Sequence, residues 1–258
     1  MSAYLVDVSS YQGQIDWQKM AQYQPKVVAV IIRATVSWGT QDKWFPMNWA
    51  RSKEYERPRG AYHVIYPAED PIRQVDNFFR VLPSNDIGEL PAVLDCELDH
   101  GQTPAVISAN MLKQAQIIEV RTGRKPIIYS RKEWLERFCS PLTFPWLREY
   151  DLHLALYRSD GLEHPGPCPA PVGTSQNRVI IHQTGAKGNG PAHGTESLNI
   201  DQNRSLIGDG SEAAFRAYFN LDAPVVEPPA GPKDEAELYR LVRESHQILT
   251  DTFRKGQA

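Results

Sequence analysis

Cysteine is scarce: the three residues at 96, 139 and 168 cannot all pair with one another, and their spacing fits no zinc template. They read as free thiols in a chain folded under reducing conditions. Long hydrophobic runs are also missing; no stretch approaches the ~20 apolar residues of a membrane-spanning helix. Neither charge dominates, since 28 Lys and Arg against 31 Asp and Glu leave a net charge of −3. That balance argues against a basic face broad enough for nucleic acid. The opening Met1-Ser2-Ala3-Tyr4-Leu5-Val6-Asp7 lacks the basic, apolar and small-residue succession of a secretory signal. No internal repeat is visible.

What remains is an ordinary globular composition: 258 residues, 41% hydrophobic and 23% charged, with material for one large core or two small ones. Short apolar runs recur at residues 4–8, 27–34, 60–66, 90–98, 126–130, 152–157 and 179–183, with a weaker one at 197–201. Val27-Val28-Ala29-Val30-Ile31-Ile32 is continuous rather than alternating. A strand covered on both faces has that pattern, as in a parallel sheet wrapped by helices. Between the runs, residues 71–82 place Ile72, Val75, Phe78, Phe79 and Leu82 on one helical face. Thr103-Pro104 then reads as a cap and first-turn proline for a helix over 103–122. Strands alternating with helices in this way predict an α/β barrel, with an open doubly wound sheet as the competing architecture.

The composition changes near residue 222. Residues 223–232 are proline-rich and read as a stiff linker, leaving 1–222 as the barrel. Residues 233–258 repeat Leu238, Leu241, Val242, Ile248, Leu249 and Phe253 at helical spacing. This C-terminal amphipathic helix suits self-association or docking, or packing on the barrel itself.

The chemistry-bearing residues are acids. In Leu94-Asp95-Cys96-Glu97 an apolar run ends in two carboxylates one residue apart. Strand alternation points both to one side, with Cα atoms ~7 Å apart. At the C-terminal end of a barrel strand they would lie where barrel active sites form. Repulsion and partial burial should raise the pKa of one, supplying the acid and anion that glycoside hydrolysis needs. Asp7 ends the first apolar run and Asp201 the last, and closure of a barrel would make those strands neighbours. On chemistry alone, four such acids also suit a divalent cation, so a metal-dependent hydrolase stays open.

These same residues carry a family likeness. Asp7-Val8-Ser9-Ser10-Tyr11-Gln12-Gly13-Gln14-Ile15-Asp16-Trp17 resembles the opening signature of family 25 lysozymes, the Chalaropsis-type muramidases. Ile31-Ile32-Arg33-Ala34-Thr35 with Gly39 and Asp42 is similar to their second-strand motif, Gly60-Ala61-Tyr62-His63 to the third, and Leu94-Asp95-Cys96-Glu97 to the acid motif. Gln183-Thr184 and Asn199-Ile200-Asp201-Gln202-Asn203 follow in order, so the likeness runs over about residues 4 to 220.

The resemblance implies a flattened, irregular TIM-like (β/α) barrel that cleaves the β-1,4 bond between N-acetylmuramic acid and N-acetylglucosamine in bacterial peptidoglycan, with no metal or organic cofactor. Carried over, Glu97 is the general acid/base. Asp95 is the nucleophile or the group that orients the substrate's acetamido oxygen. Asp7 and Asp201 complete the acidic cleft, Tyr62 lies against the reacting sugar, and Tyr11, Arg33 and Gln183 are further substrate-binding candidates. The chain departs from the pattern at Val36-Ser37-Trp38, and at His153 and His182, where members often carry Trp. Those changes motivate the alternative of a non-catalytic wall-binding or virion structural module. A signal-less wall enzyme is expected to be made in the bacterial cytoplasm and released by another route, as phage lytic enzymes are, or carried on a virion.

Other residues read as structural. His63 and His182 are expected to be hydrogen-bonded core or lining groups, Trp38, Trp44 and Trp49 to anchor a loop and helix, and Asp16-Trp17 to be structural. Gly185-Ala186-Lys187-Gly188-Asn189-Gly190 lacks the ending of a phosphate loop and reads as a flexible loop.

Overall fold

The computed structural model describes residues 2–84, 86–164 and 166–223, together with 236–238, 240 and 242. Nine strands alternate with helices: β1 Tyr4–Val8, α1 Trp17–Gln22, β2 Val27–Val36, β3 Thr40–Gln41, α2 Phe45–Glu54, β4 Arg59–Val64, α3 Pro71–Val81, β5 Val93–Asp95, α4 Pro104–Thr122, β6 Ile127–Ser130, α5 Lys132–Phe138, β7 Leu152–Ala155, β8 Val179–Asn189, β9 Asn199–Ser205 and α6 Glu212–Tyr218. Four of these helices begin where a side chain satisfies orphan N–H groups: Asp16, Asp70, Thr103 and Ser211 cap α1, α3, α4 and α6.

β1 pairs with both β2 and β9, which closes the sheet. The fold is therefore an eight-stranded α/β barrel, with β3 an added hairpin strand on β2, and the open doubly wound sheet is excluded. Neighbours from β1 through β2 and β4 to β8 run parallel, whereas β9 is antiparallel to both β8 and β1.

The apolar core divides in two, as period-two alternation requires. Val6, Ile32, Leu94, Ile128 and Leu154 face outward into a jacket with Val75, Phe78, Met111 and Ile118 of α3 and α4. Leu5, Ile31, Val93, Ile127 and Ile181 form a second cluster that fills the barrel. Leu238 and Val242, four residues apart and so on one helical face, are buried within the jacket cluster. The rest of 233–258 and, apart from Ala223, the expected linker at 223–232 lie outside the described residues.

Three expectations change. The segment 185–190 is not a loop, because β8 continues through Asn189 in a hairpin with β9. Its glycines allow close approach: a Cβ at Gly188 would meet Gln202 Cγ at 2.6 Å and the Ile200 carbonyl oxygen at 2.9 Å. The 90–98 run contributes strand only at Val93–Asp95, so Glu97 lies just beyond the strand end. Asp201 is near the start of its strand rather than the end. Since β9 runs antiparallel, that start lies at the rim where the parallel strands finish.

Candidate active site

Following each strand two residues onward from its barrel-filling apolar side chain reaches a polar one. Leu5 gives way to Asp7, Ile31 to Arg33, Val93 to Asp95, Ile127 to Tyr129 and Ile181 to Gln183. With His153 of β7 and Asp201 of β9, these groups line a cleft of about 420 Å³. All eight residues expected from the sequence, Asp7, Tyr11, Arg33, Tyr62, Asp95, Glu97, Gln183 and Asp201, border this one cleft.

The acids form two unlike pairs. Asp7 and Asp201 are register partners across β1 and β9, and their carboxyl groups hydrogen bond each other. Asp7 Oδ2 also accepts from Asn203 Nδ2 at 2.9 Å and Gln183 Nε2 at 3.3 Å. Burial pushes Asp7 up to about 6, against the pull of those donors. Burial, followed by repulsion from Asp7, pushes Asp201 up to about 9, so Asp201 is the member that keeps a proton near neutrality.

Asp95 is buried and its Oδ1 has no hydrogen-bond partner. Burial, then the charges of Glu97 and Asp7, raise its pKa well above the carboxylate range. Glu97 stands exposed at the mouth. The surrounding walls still desolvate it enough to raise its pKa, while the Arg131 guanidinium pulls the other way. Arg131 is stacked 4.7 Å above the Tyr157 ring, hydrogen bonds its hydroxyl, and borders the cleft with it.

Arg33 and Tyr11 are set by one buried acid. Asp42 Oδ2 accepts from Arg33 Nε at 2.9 Å and from the Ser10 amide at 2.8 Å, and Arg33 Nη2 donates to Ser10 Oγ at 2.7 Å. This brings the Arg33 guanidinium 5.0 Å from the Tyr11 ring, which is 79% exposed and so offers a free face at the rim.

His63 and His182 are buried away from the cleft lining, His63 bonded to Thr35 Oγ1 and His182 to the Leu156 carbonyl oxygen. Trp17 and Trp49 are buried, and Asp16 caps α1. Trp38 is 44% exposed in the β2–β3 turn, where Arg73 covers its ring at 4.1 Å. Cys96, Cys139 and Cys168 are free and buried. Among the described residues no group of three or more His, Cys, Asp or Glu is arranged to hold a metal ion, and no helix is long and apolar enough to cross a membrane.

Sequence reading missed Tyr129, Arg131, His153, Tyr157 and Asn203. Alternation already put Asn203 on the face of Asp201, two residues away, and Tyr129 between outward-facing Ile128 and Ser130. The bonds of Tyr129 and His153 skip over an intervening strand inside the barrel, to Gln183 and Asn203, so only the closed fold reveals them.

An eight-stranded barrel with a carboxyl cluster at its mouth is an arrangement that glycoside hydrolysis can use. Residues 6–183 match the family Glycosyl hydrolases family 25, and the chain belongs to that family. The uncharacterized protein YegX of Escherichia coli is 36% identical over 129 residues, 48% of this chain and 47% of that protein. The chain therefore matches about half the length of that relative. The same fold occurs in the bacterial lysozyme from Streptomyces coelicolor, with a TM-score of 0.71, 22% identity and coverage of 86% of this chain and 99% of that one. A family 25 glycosyl hydrolase from Bacillus anthracis gives 0.68 and 23%, covering 83% and 92%.

Proposed function

We propose that this chain is an endo-N-acetylmuramidase that cleaves the β-1,4 bond between N-acetylmuramic acid and N-acetylglucosamine in peptidoglycan. The observation that carries the reading is the convergence of Asp7 from β1, Asp95 and Glu97 from the end of β5, and Asp201 from β9 on one cleft. Glu97 is the general acid/base: it reaches solvent at the mouth, and the upward shift of its pKa by desolvation favours the protonated form that would donate to the departing sugar oxygen. Asp95 lies deeper with an unpaired oxygen. An acetamido N–H donating to that oxygen would supply the missing bond and favour the anion, which suits the acetamido-orienting role over direct nucleophilic attack. The Asp7–Asp201 pair places a neutral acid beside an anion at the floor, and Tyr62 and Tyr11 offer ring faces to the sugars.

Mass analysis of fragments released from purified walls tests this directly. Products with a reducing muramic acid end are expected, and a reducing glucosamine end would overturn it. Wall binding without lysis would instead support the non-catalytic module. Loss of activity in chelator would point to metal-dependent hydrolysis.

A further inference from the structure

We propose that His153 is a positioning residue: acting through Asn203, it fixes Asp7 as the accepting, anionic member of its pair with Asp201. The proposal deepens the muramidase reading and rests on it.

The direction of each bond follows from the atoms. Asp7 Oδ2 is a carboxylate oxygen, so the Asn203 atom 2.9 Å away must be the donating Nδ2. The opposite end of that amide is then Oδ1, which only accepts. Its partner, His153 Nε2 at 2.6 Å, must therefore carry the imidazole proton. Protons thus point one way, from His153 to Asn203 to Asp7. A second arm ends on the same oxygen: the Tyr129 hydroxyl donates to Gln183 Oε1 at 2.8 Å, and Gln183 Nε2 donates to Asp7 Oδ2 at 3.3 Å. The two arms touch at their far ends, where the Tyr129 and His153 rings meet edge-on at 4.9 Å.

His153 is 1% exposed, and its Nδ1 has no hydrogen-bond partner. Burial lowers its pKa to about 4, so the ring is neutral in use, with its one proton at Nε2. That is what the arm requires, a donor without a charge beside three other rings and amides. The titratable groups facing His153 are Tyr129 from β6 and His182 from β8. Those facing Asp7 are Asp201 from β9, Tyr62 from β4, Tyr129 from β6, and Asp95 and Glu97 from the end of β5. A hydrocarbon ring at position 153 would fill the space but leave Asn203 Oδ1 without a donor. The amide would then be free to rotate and offer Asp7 an oxygen instead of an N–H. Asp7 would hold its proton more tightly, and the division of labour with Asp201 would blur.

The test compares His153→Phe with His153→Gln, whose side-chain amide restores an N–H donor. In wall hydrolysis, the acid limb of kcat/KM should move up by about one pH unit in His153→Phe and return toward the wild-type position in His153→Gln. At the foot of that limb the loss should be about tenfold, with a much smaller change on the plateau. Tyr129→Phe, which loosens the other arm, should move the limb the same way and serves if His153→Phe does not fold. Carboxyl-carbon NMR of Asp7, assigned with Asp7→Asn, reads the same upward displacement without turnover. A chain that fails to yield muramic ends would sink the muramidase reading while the carbon titration still judges the positioning. An unmoved Asp7 titration in His153→Phe, or equal behaviour of the Phe and Gln variants, overturns the proposal.

Discussion

Asp7 and Asp201 face each other across two antiparallel strands, whereas Asp95 and Glu97 follow one another at the end of a single strand. The first pair is internally satisfied: one member donates to the other, and two amides complete the acceptor. The second pair is left open, with an unpartnered oxygen on Asp95 and a solvent-facing Glu97. A buried polar atom without a partner costs free energy unless something arrives to bond it, so the open pair is where substrate belongs. The closed pair supplies fixed charge and geometry behind it. One rim thus holds a preorganised half and a reactive half, built from the same residue type by different pairing.

If that division is right, damage to the open pair should cost most. Glu97→Gln keeps size and hydrogen bonding but removes the transferable proton, and wall-lysis kcat should fall by about 10²- to 10⁴-fold. Unchanged circular dichroism and melting would show that the fold survives. Full activity in Glu97→Gln would dissolve the distinction between the pairs. Asp95→Asn ranks next, with an expected loss of about 10²- to 10³-fold, the scale of a preorganised electrostatic group at developing charge.

Outside the acid limb of the rate profile, the closed pair should reveal itself chiefly in stability. Folded Asp7 and Asp201 both hold protons more tightly than an unfolded carboxylate of the usual 3.8. The native state therefore binds more protons than the unfolded chain as pH rises from about 4 through about 6 and about 9. Stability from these groups is complete below that window and is lost as pH climbs through it, opposite to an ion-paired carboxylate. Wild-type Tm should thus decline on the alkaline side. Asp201→Asn, which keeps a donor facing Asp7 without a titrating proton, should flatten the decline, by about 2–4 °C for each kcal/mol of repulsion removed. Melting curves at pH 6 and pH 9 decide the matter; parallel behaviour of variant and wild type would count against a stored proton at Asp201.

The open pair was legible in the sequence and the closed pair only in outline. Asp95 and Glu97 are neighbours in the chain, so local alternation suffices to bring them together even though the strand stops at Asp95. Asp7 and Asp201 came from motif order and the expectation of closure. That route gave the right rim but the wrong end of the last strand, because nothing local announces that β9 is antiparallel. The glycines of 185–190 misled for a related reason: they signal close contact with a partner strand as readily as freedom from one. His153 looked like the loss of a ring. Its use depends on an amide 50 residues away on a strand two places along the sheet, a partner that only the closed barrel brings within reach.

The smallest expected effect concerns the boundary between the halves. Arg131 is exposed, stacked on Tyr157, and is the group that opposes the upward displacement of Glu97. Replacing it with alanine should let the Glu97 pKa rise further, so the alkaline limb of kcat moves to higher pH while the acid limb, which the His153 proposal assigns to Asp7, stays put. Solvent and salt weaken an exposed charge, and the displacement should shrink as ionic strength rises from about 0.01 M to about 0.15 M. If Arg131→Ala moves both limbs together, the two pairs titrate as one unit, and the separation between a locked half and a reactive half fails at the point where it is most exposed.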